Sequence, residues 1–189
     1  MTIEQQKQFI QDFFEKYYAK QAAICETALM LPDVPQLMLA EGADSNEEWN
    51  KWKLIPSTIT EKDIAALENQ LGVSLPNILK IFFTTYFHFF DYPVGRHSID
   101  EPFEAIQNAW NPLLIKAGYL PFTWDKDGYF IRCIDLVNIP DENACKICQI
   151  DHEILFDFDE ESEISREEIA DKMEVIADNF LQYLNHIIQ

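Results

Sequence analysis

The segment "STITEKDIAALENQLGVSLPN", residues 57–77, fixes a helix at both ends and the direction of the chain beyond it. Thr60, with Asp63 three residues on, reads as an N-cap that takes up an otherwise orphaned amide. Ile64, Leu67 and Leu71 then share one face at helical spacing. Gly72 supplies the left-handed stop, and "VSLP" turns the chain. A second helix is predicted from about Asn77 to Phe87, with Ile78, Leu79, Phe82, Phe83 and Tyr86 buried. The product is a tight helix pair with an aromatic inner face, on which the rest of the chain must be laid.

Upstream, residues 2–30 are predicted to be helical. Thr2 and Gln5 can form a capping box, and Ile10, Phe13, Phe14, Tyr17, Ile24 and Ala28 recur at helical spacing. Pro32 and Pro35 end that run, and "EGADSNEEW" reads as a loop. Residues 1–48 are therefore expected to be a helical extension with a linker, and 49–189 a larger domain. Within that domain "SIDEPFEAIQNAW" holds a short helix that Ser98 or Asp100 can cap. "YLPFTW" and "YFIRCIDL" flank the hairpin turn "DKDG". "ACKICQID" and "EILFDF" are expected to add strands. Ser165 with Glu168 opens a final helix carrying Ile169, Met173, Ile176, Phe180 and Leu184 on one stripe. Helices, then antiparallel strands, then a closing helix define an α+β fold, its sheet buried on one face and partly open on the other.

The chain has 189 residues and a net charge of −19, which disfavours binding to nucleic acid or to an anionic membrane surface. A basic protein partner is the natural complement; the plainer reading of the charge is solubility. The longest strongly apolar stretch, "ILKIFFTTYFHFF", is too short and too polar to span a bilayer. The polar N-terminus shows no signal peptide, so a reducing cytoplasmic setting with free thiols at Cys25, Cys133, Cys145 and Cys148 is expected.

Three motifs invite chemistry. "CKIC" has two zinc-type ligands, with Cys133 and His152 as further donors, but on a strand Cys145 and Cys148 point to opposite faces, and buried free thiols are ordinary core residues. "DHE" at 151–153 places His152 between carboxylates, yet strand neighbours alternate faces and do not make a dyad. No nucleophile elbow, phosphate loop or zinc-protease motif occurs, so no catalytic residue, metal or cofactor is expected. "DFDEESEISREE", residues 157–168, sets seven acids around Arg166. It lacks the glycine and ligand spacing of a calcium loop. A solvated loop before a helix accounts for Glu167 and Glu168. A docking surface for lysines and arginines accounts better for Asp157 to Glu163. The contact residues expected on that reading are Asp157, Asp159, Glu160, Glu161 and Glu163, with Asp125 and Asp127 of the hairpin beside them.

In order and spacing, Ile64, Leu67, Glu68, Leu71, Gly72, Leu75 and Pro76, followed by Leu120, Pro121, Phe122, Asp125, Gly128, Asp135 and Leu136, resemble the SUKH superfamily. The resemblance runs roughly from Trp49 to Leu184. That superfamily includes bacterial immunity proteins that neutralise polymorphic toxins, often nucleases or deaminases, and fungal regulators of cell-wall synthesis. The resemblance implies a binding protein without chemistry of its own, its partner being a cognate toxin with a basic surface. An intracellular adaptor is the alternative it also implies.

Overall fold

A computed structural model describes residues 1–25, 27–44, 46–139, 141–158 and 165–189. The first helix, α1 (Ile3–Ile24), starts in the expected box: the Thr2 hydroxyl accepts from the Gln5 amide while the Gln5 side chain accepts from the Thr2 amide. It stops six residues short of the expected end. Ile24 and Ala28 are exposed, and the chain extends so that β1 (Met30–Pro32) pairs with β2 (Trp49–Lys51), which satisfies its backbone without a further helical turn. The buried face of α1 (Ile10, Phe13, Phe14 and Tyr17) packs into the same core as the helix pair.

β3 (Ile55–Pro56) leads into α2 (Glu61–Leu71), whose Thr60–Asp63 box and Gly72 stop, at φ 74°, are those anticipated. The α2–α3 corner is closed by Glu68, which accepts from the Leu75 amide at 2.7 Å and pairs with Lys80 at 2.8 Å. α3 (Asn77–Thr85) ends before Phe87 because β4 (Tyr86–Phe87) is drawn into pairing with β3; the Thr84 and Thr85 hydroxyls turn back onto the Lys80 and Ile81 carbonyls.

The start of α3 shows a long-range cap. Pro76 at the N-cap has no side-chain acceptor. The Glu142 carboxylate, from the 3-10 turn Glu142–Ala144, accepts from the Asn77 and Ile78 amides at 2.6 and 3.2 Å. A carboxylate at a helix N-terminus is favoured by both hydrogen bonding and the helix dipole. Glu142→Ala is therefore expected to lower stability by about 1–2 kcal/mol, the size of a lost N-cap, in a urea titration.

α4 (Glu104–Ala109) is not capped by Ser98 or Asp100: it follows Phe103 at φ 69°, whose amide donates to His97 Nδ1 at 3.3 Å. An unforeseen short helix, α5 (Pro112–Lys116), is capped by the Asn111 side-chain Oδ1, which accepts from the Leu113 and Leu114 amides. The main sheet is antiparallel, in the order β5 (Tyr119–Trp124), β6 (Phe130–Asp135), β7 (Ile147–Asp151), β8 (Glu174–Ala177).

The expected single C-terminal helix is three elements: α6 (Arg166–Ala170), β8, and α7 (Phe180–Ile188). The open edge of β7 takes the stretch with β-branched Val175 and Ile176 as a fourth strand, and Asn179 recaps the chain by accepting from the Gln182 amide. "EILFDF" is likewise no strand. It lies in a 3-10 helix, His152–Asp157, opened by the Asp151 carboxylate accepting from the Glu153 amide.

Both faces of the sheet carry a buried cluster, and the second stays partly open at β8, where Val175, opposite Cys148, is 50% exposed. Leu120, Phe122, Ile134 and Ile147 join α1, α2, α3 and α7 in one cluster. Tyr119, Ile131, Cys133, Cys148 and Ile150 join Leu114 of α5, Leu155 and Ile169 of α6 in another. Because α5, α6 and the 3-10 helix cover much of the second face, this α+β fold is a layered one.

Candidate partner-docking surface

The hairpin tip and the exit of β7 meet at one end of the sheet. The chain turns at Asp125–Gly128, where the Asp125 carboxylate accepts from the Tyr129 and Phe130 amides at 2.7 and 2.9 Å. Phe130 is the register partner of Asp151, so the 3-10 helix His152–Asp157 leaves the sheet beside that turn. The join is fixed by one acceptor: the Tyr129 carbonyl takes both the His152 amide, at 3.0 Å, and the His152 ring Nδ1, at 2.9 Å.

Aromatic side chains line this join. The His152 ring stands edge-on between Trp124, at 5.5 Å, and Phe156, at 5.8 Å. Phe156 is 79% exposed and Tyr129 58%. Exposed rings of this size offer a large apolar contact area. Asp127 on the turn, and Glu153 and Asp157 on the 3-10 helix, are exposed on the same two elements, while Asp125 is half-buried. Asp157, Asp125 and Asp127 thus come from two elements that share one end of the sheet. Asp159, Glu160, Glu161 and Glu163 lie outside the described residues.

The chain returns from the acidic segment at Arg166. Its guanidinium donates to the Ala117 carbonyl at 2.8 Å, pairs with Asp135 at 2.6 Å and lies over the Tyr119 ring. The lone base of the acidic run is thus a staple onto β5 and β6. Tyr129, Phe156 and Trp124 were not singled out by the sequence. A strand over "EILFDF" would put Phe156 on the same face as Ile154 and hide it. The available signal was the aspartates that bracket "HEILF", an opening cap and an acidic close.

The chemical motifs are arranged otherwise. Asp151 caps the 3-10 helix and stands 3.9 Å from His152 Nδ1, which already faces the Tyr129 carbonyl. Cys145 sits in the α1–α3 cluster and Cys148 in the other, beside its register partner Cys133. Burial pushes the Cys148 thiol up to about 11 and Cys133 well above the ordinary thiol value, which keeps both protonated. Among the described residues no group of His, Cys, Asp and Glu is arranged to hold a metal ion. No helix of the described residues is long and apolar enough to cross a membrane.

The family model of the SMI1 / KNR4 family (SUKH-1) matches residues 58–186, the greater part of the chain, from just before the α2 cap into α7. No curated protein matches it.

Proposed function

The chain belongs to the SMI1 / KNR4 family (SUKH-1), and from that premise we propose that it is an immunity protein, one that binds a cognate toxin stoichiometrically and covers its active cleft. The family includes toxin-immunity proteins and fungal regulators, and its members bind partner proteins such as toxins. The observation that carries the proposal is the exposure of Phe156 and Tyr129 on two elements joined at one end of the sheet, the same elements that expose Asp127, Glu153 and Asp157. Rings at the centre of an interface supply affinity, and a charged rim supplies rate and choice of partner. A toxin that acts on nucleic acid presents a basic cleft, the electrostatic counterpart of a chain with net charge −19. Residues 1–48 are, on this reading, an extension added to the family domain, which leaves the docking end of the sheet to the hairpin and the acidic segment.

The test uses a toxin domain encoded beside the gene. Reversing Asp157, Asp159, Glu160, Glu161 and Glu163 to lysine is expected to slow association by about 10- to 100-fold at low salt, with little change in thermal midpoint. Phe156→Ala is expected to act on dissociation instead, accelerating it by about 10-fold or more. Neutralisation that survives both changes removes the assignment of this surface.

A further inference from the structure

A cavity of about 570 Å³ lies between residues 91–96, α4 and the hairpin, on the other side of Trp124 and Asp125 from the surface just described. Its close packing comes from small residues: the backbone of Gly95 lies directly against the Ala105 methyl and Thr123. Its wall carries the rings of Tyr92 and Trp124 and the carboxylates of Glu104 and Asp125. Glu104 is half-buried and has no hydrogen bond or ion pair among the described residues. Every other half-buried carboxylate discussed above has a partner: Glu68 holds Lys80, Glu142 holds the start of α3, and Asp135 holds Arg166.

We propose that this cavity receives an arginine side chain of the partner, its guanidinium stacked on Trp124 and paired with Glu104; the inference rests on the immunity reading and refines it. A flat aromatic face beside a free carboxylate is the environment that a planar, weakly hydrated guanidinium fits, through stacking and a charge-assisted fork. Net charge favours a cation over an anion, although the buried Arg96 Nε has no partner among the described residues. The wall holds Asp91, Glu104 and Asp125 against Arg96 and Lys126, one net negative charge. Arg96 is turned to Asp91 at 3.4 Å, and Lys126 is exposed on the turn. An entering carboxylate would meet that wall inside the field of a chain with net charge −19, whereas a guanidinium is drawn by both. The residues flanking the arginine have a place as well. A second cavity, of about 300 Å³ and lined by Tyr17, Trp52 and Phe89, shares Asp91, Tyr92 and Arg96 with the first. It reaches Tyr17, Gln21 and Ala28 of the N-terminal segment.

The test titrates N-acetyl-arginine amide into the isotopically labelled full chain, followed by NMR. The expected result is saturable movement of the Trp124 indole and of the Gly95 and Ala105 amides, weakened at least fivefold in Glu104→Gln and abolished in Asn108→Trp, which blocks the rim. N-acetyl-lysine amide is expected to bind more weakly, and N-acetyl-glutamate amide to leave these signals still. Equal response to the glutamate compound, movement confined to Asp127 and Asp157, or undiminished binding by Glu104→Gln in a chain with an unchanged melt would overturn the proposal. Neutralisation of a toxin by a protein whose cavity takes no arginine would refute this refinement alone. Uptake of arginine by a protein that neutralises no toxin would leave the cavity standing and remove the immunity reading.

Discussion

Gly95→Ala is expected to lower stability by about 3 kcal/mol or more, whereas Gly72→Ala lowers it by about 1 kcal/mol. Both glycines adopt left-handed backbone, φ 77° and 74°, so both substitutions carry the same conformational penalty. They differ in what the new methyl meets. At Gly72 nothing lies within 4 Å. At Gly95 the Cβ would collide with the Ala105 methyl and come within 2.9 Å of the Thr123 hydroxyl. Neither obstacle is the far end of a flexible side chain: one is anchored on α4 and the other on β5, so relief requires the 91–96 segment to lift. That segment is held by the Tyr17 hydroxyl, which donates to the Tyr92 carbonyl at 3.1 Å, and by the Tyr183 hydroxyl, which donates to the Pro93 carbonyl at 2.7 Å, and this leaves it little room. The difference between the two denaturation midpoints isolates the collision. Equal losses would mean that residues 91–96 do not pack as described, and the cavity floor they form with Ala105 and Thr123 would go with them.

The helix pair was legible in the sequence because its determinants are local. A cap, an apolar stripe and a glycine stop lie within a dozen residues and need no help from elsewhere. What was misread depends on partners far away in sequence. Glu174–Ala177 continues a helical stripe on paper, but the free edge of β7 captures it, and no window on the C-terminal segment contains that edge. Tyr86–Phe87 leaves α3 for the same reason, to meet Ile55–Pro56. The cap on α3 comes from Glu142, some sixty residues later. The N-terminal helix overran because Ala28 falls in phase with Tyr17 and Ile24, while nothing nearby announces the β1–β2 pairing.

The proposed contact residues were chosen by charge, and the shape around them could not be read from the sequence. The acidic run and the hairpin aspartates stand out by composition alone, and folding brings the ends of both elements together through the Tyr129 carbonyl and the His152 ring. The aromatic centre could not be read, since Phe156 in a strand and Phe156 on a one-sided 3-10 turn have opposite exposures. The cavity behind Trp124 is less legible still. It is assembled from a loop, a helix and a hairpin whose closeness depends on a glycine that no local pattern marks as special.

Acidification from pH 7 to pH 5 is expected to remove roughly 3–4 kcal/mol of stability through two buried histidines, a large share of the ordinary 5–15 kcal/mol of a domain. His88 is fully buried among Phe14, Phe82 and Phe90, and neither ring nitrogen has a hydrogen-bond partner among the described residues. His97 faces the Phe83 carbonyl with Nε2 at 2.8 Å and accepts from the Phe103 amide with Nδ1, which assigns the neutral tautomer carrying its proton on Nε2. A second proton on His97 would point at an N–H, and one on His88 would be a charge among phenyl rings. Burial accordingly holds His97 down at about 4 and His88 well below the ordinary value. The unfolded chain takes up both protons near pH 6.5 and the folded chain does not, so between about 4 and 6.5 the unfolded state binds more protons and stability falls as pH falls. Protonation of surface carboxylates acts in the opposite direction, by relieving the self-repulsion of a net charge of −19. The comparison that separates the two effects is between variants. His88→Leu, which removes an unpartnered imidazole, is expected to be neutral or stabilising at pH 7. Between pH 5 and 6.5 it is expected to flatten the dependence of unfolding free energy on pH by about 1 kcal/mol per unit. Parallel slopes for the wild-type protein and His88→Leu in urea titrations at pH 5, 6 and 7 would show that the imidazole finds a partner or water in solution, and that the core around Phe14 is looser than its packing implies.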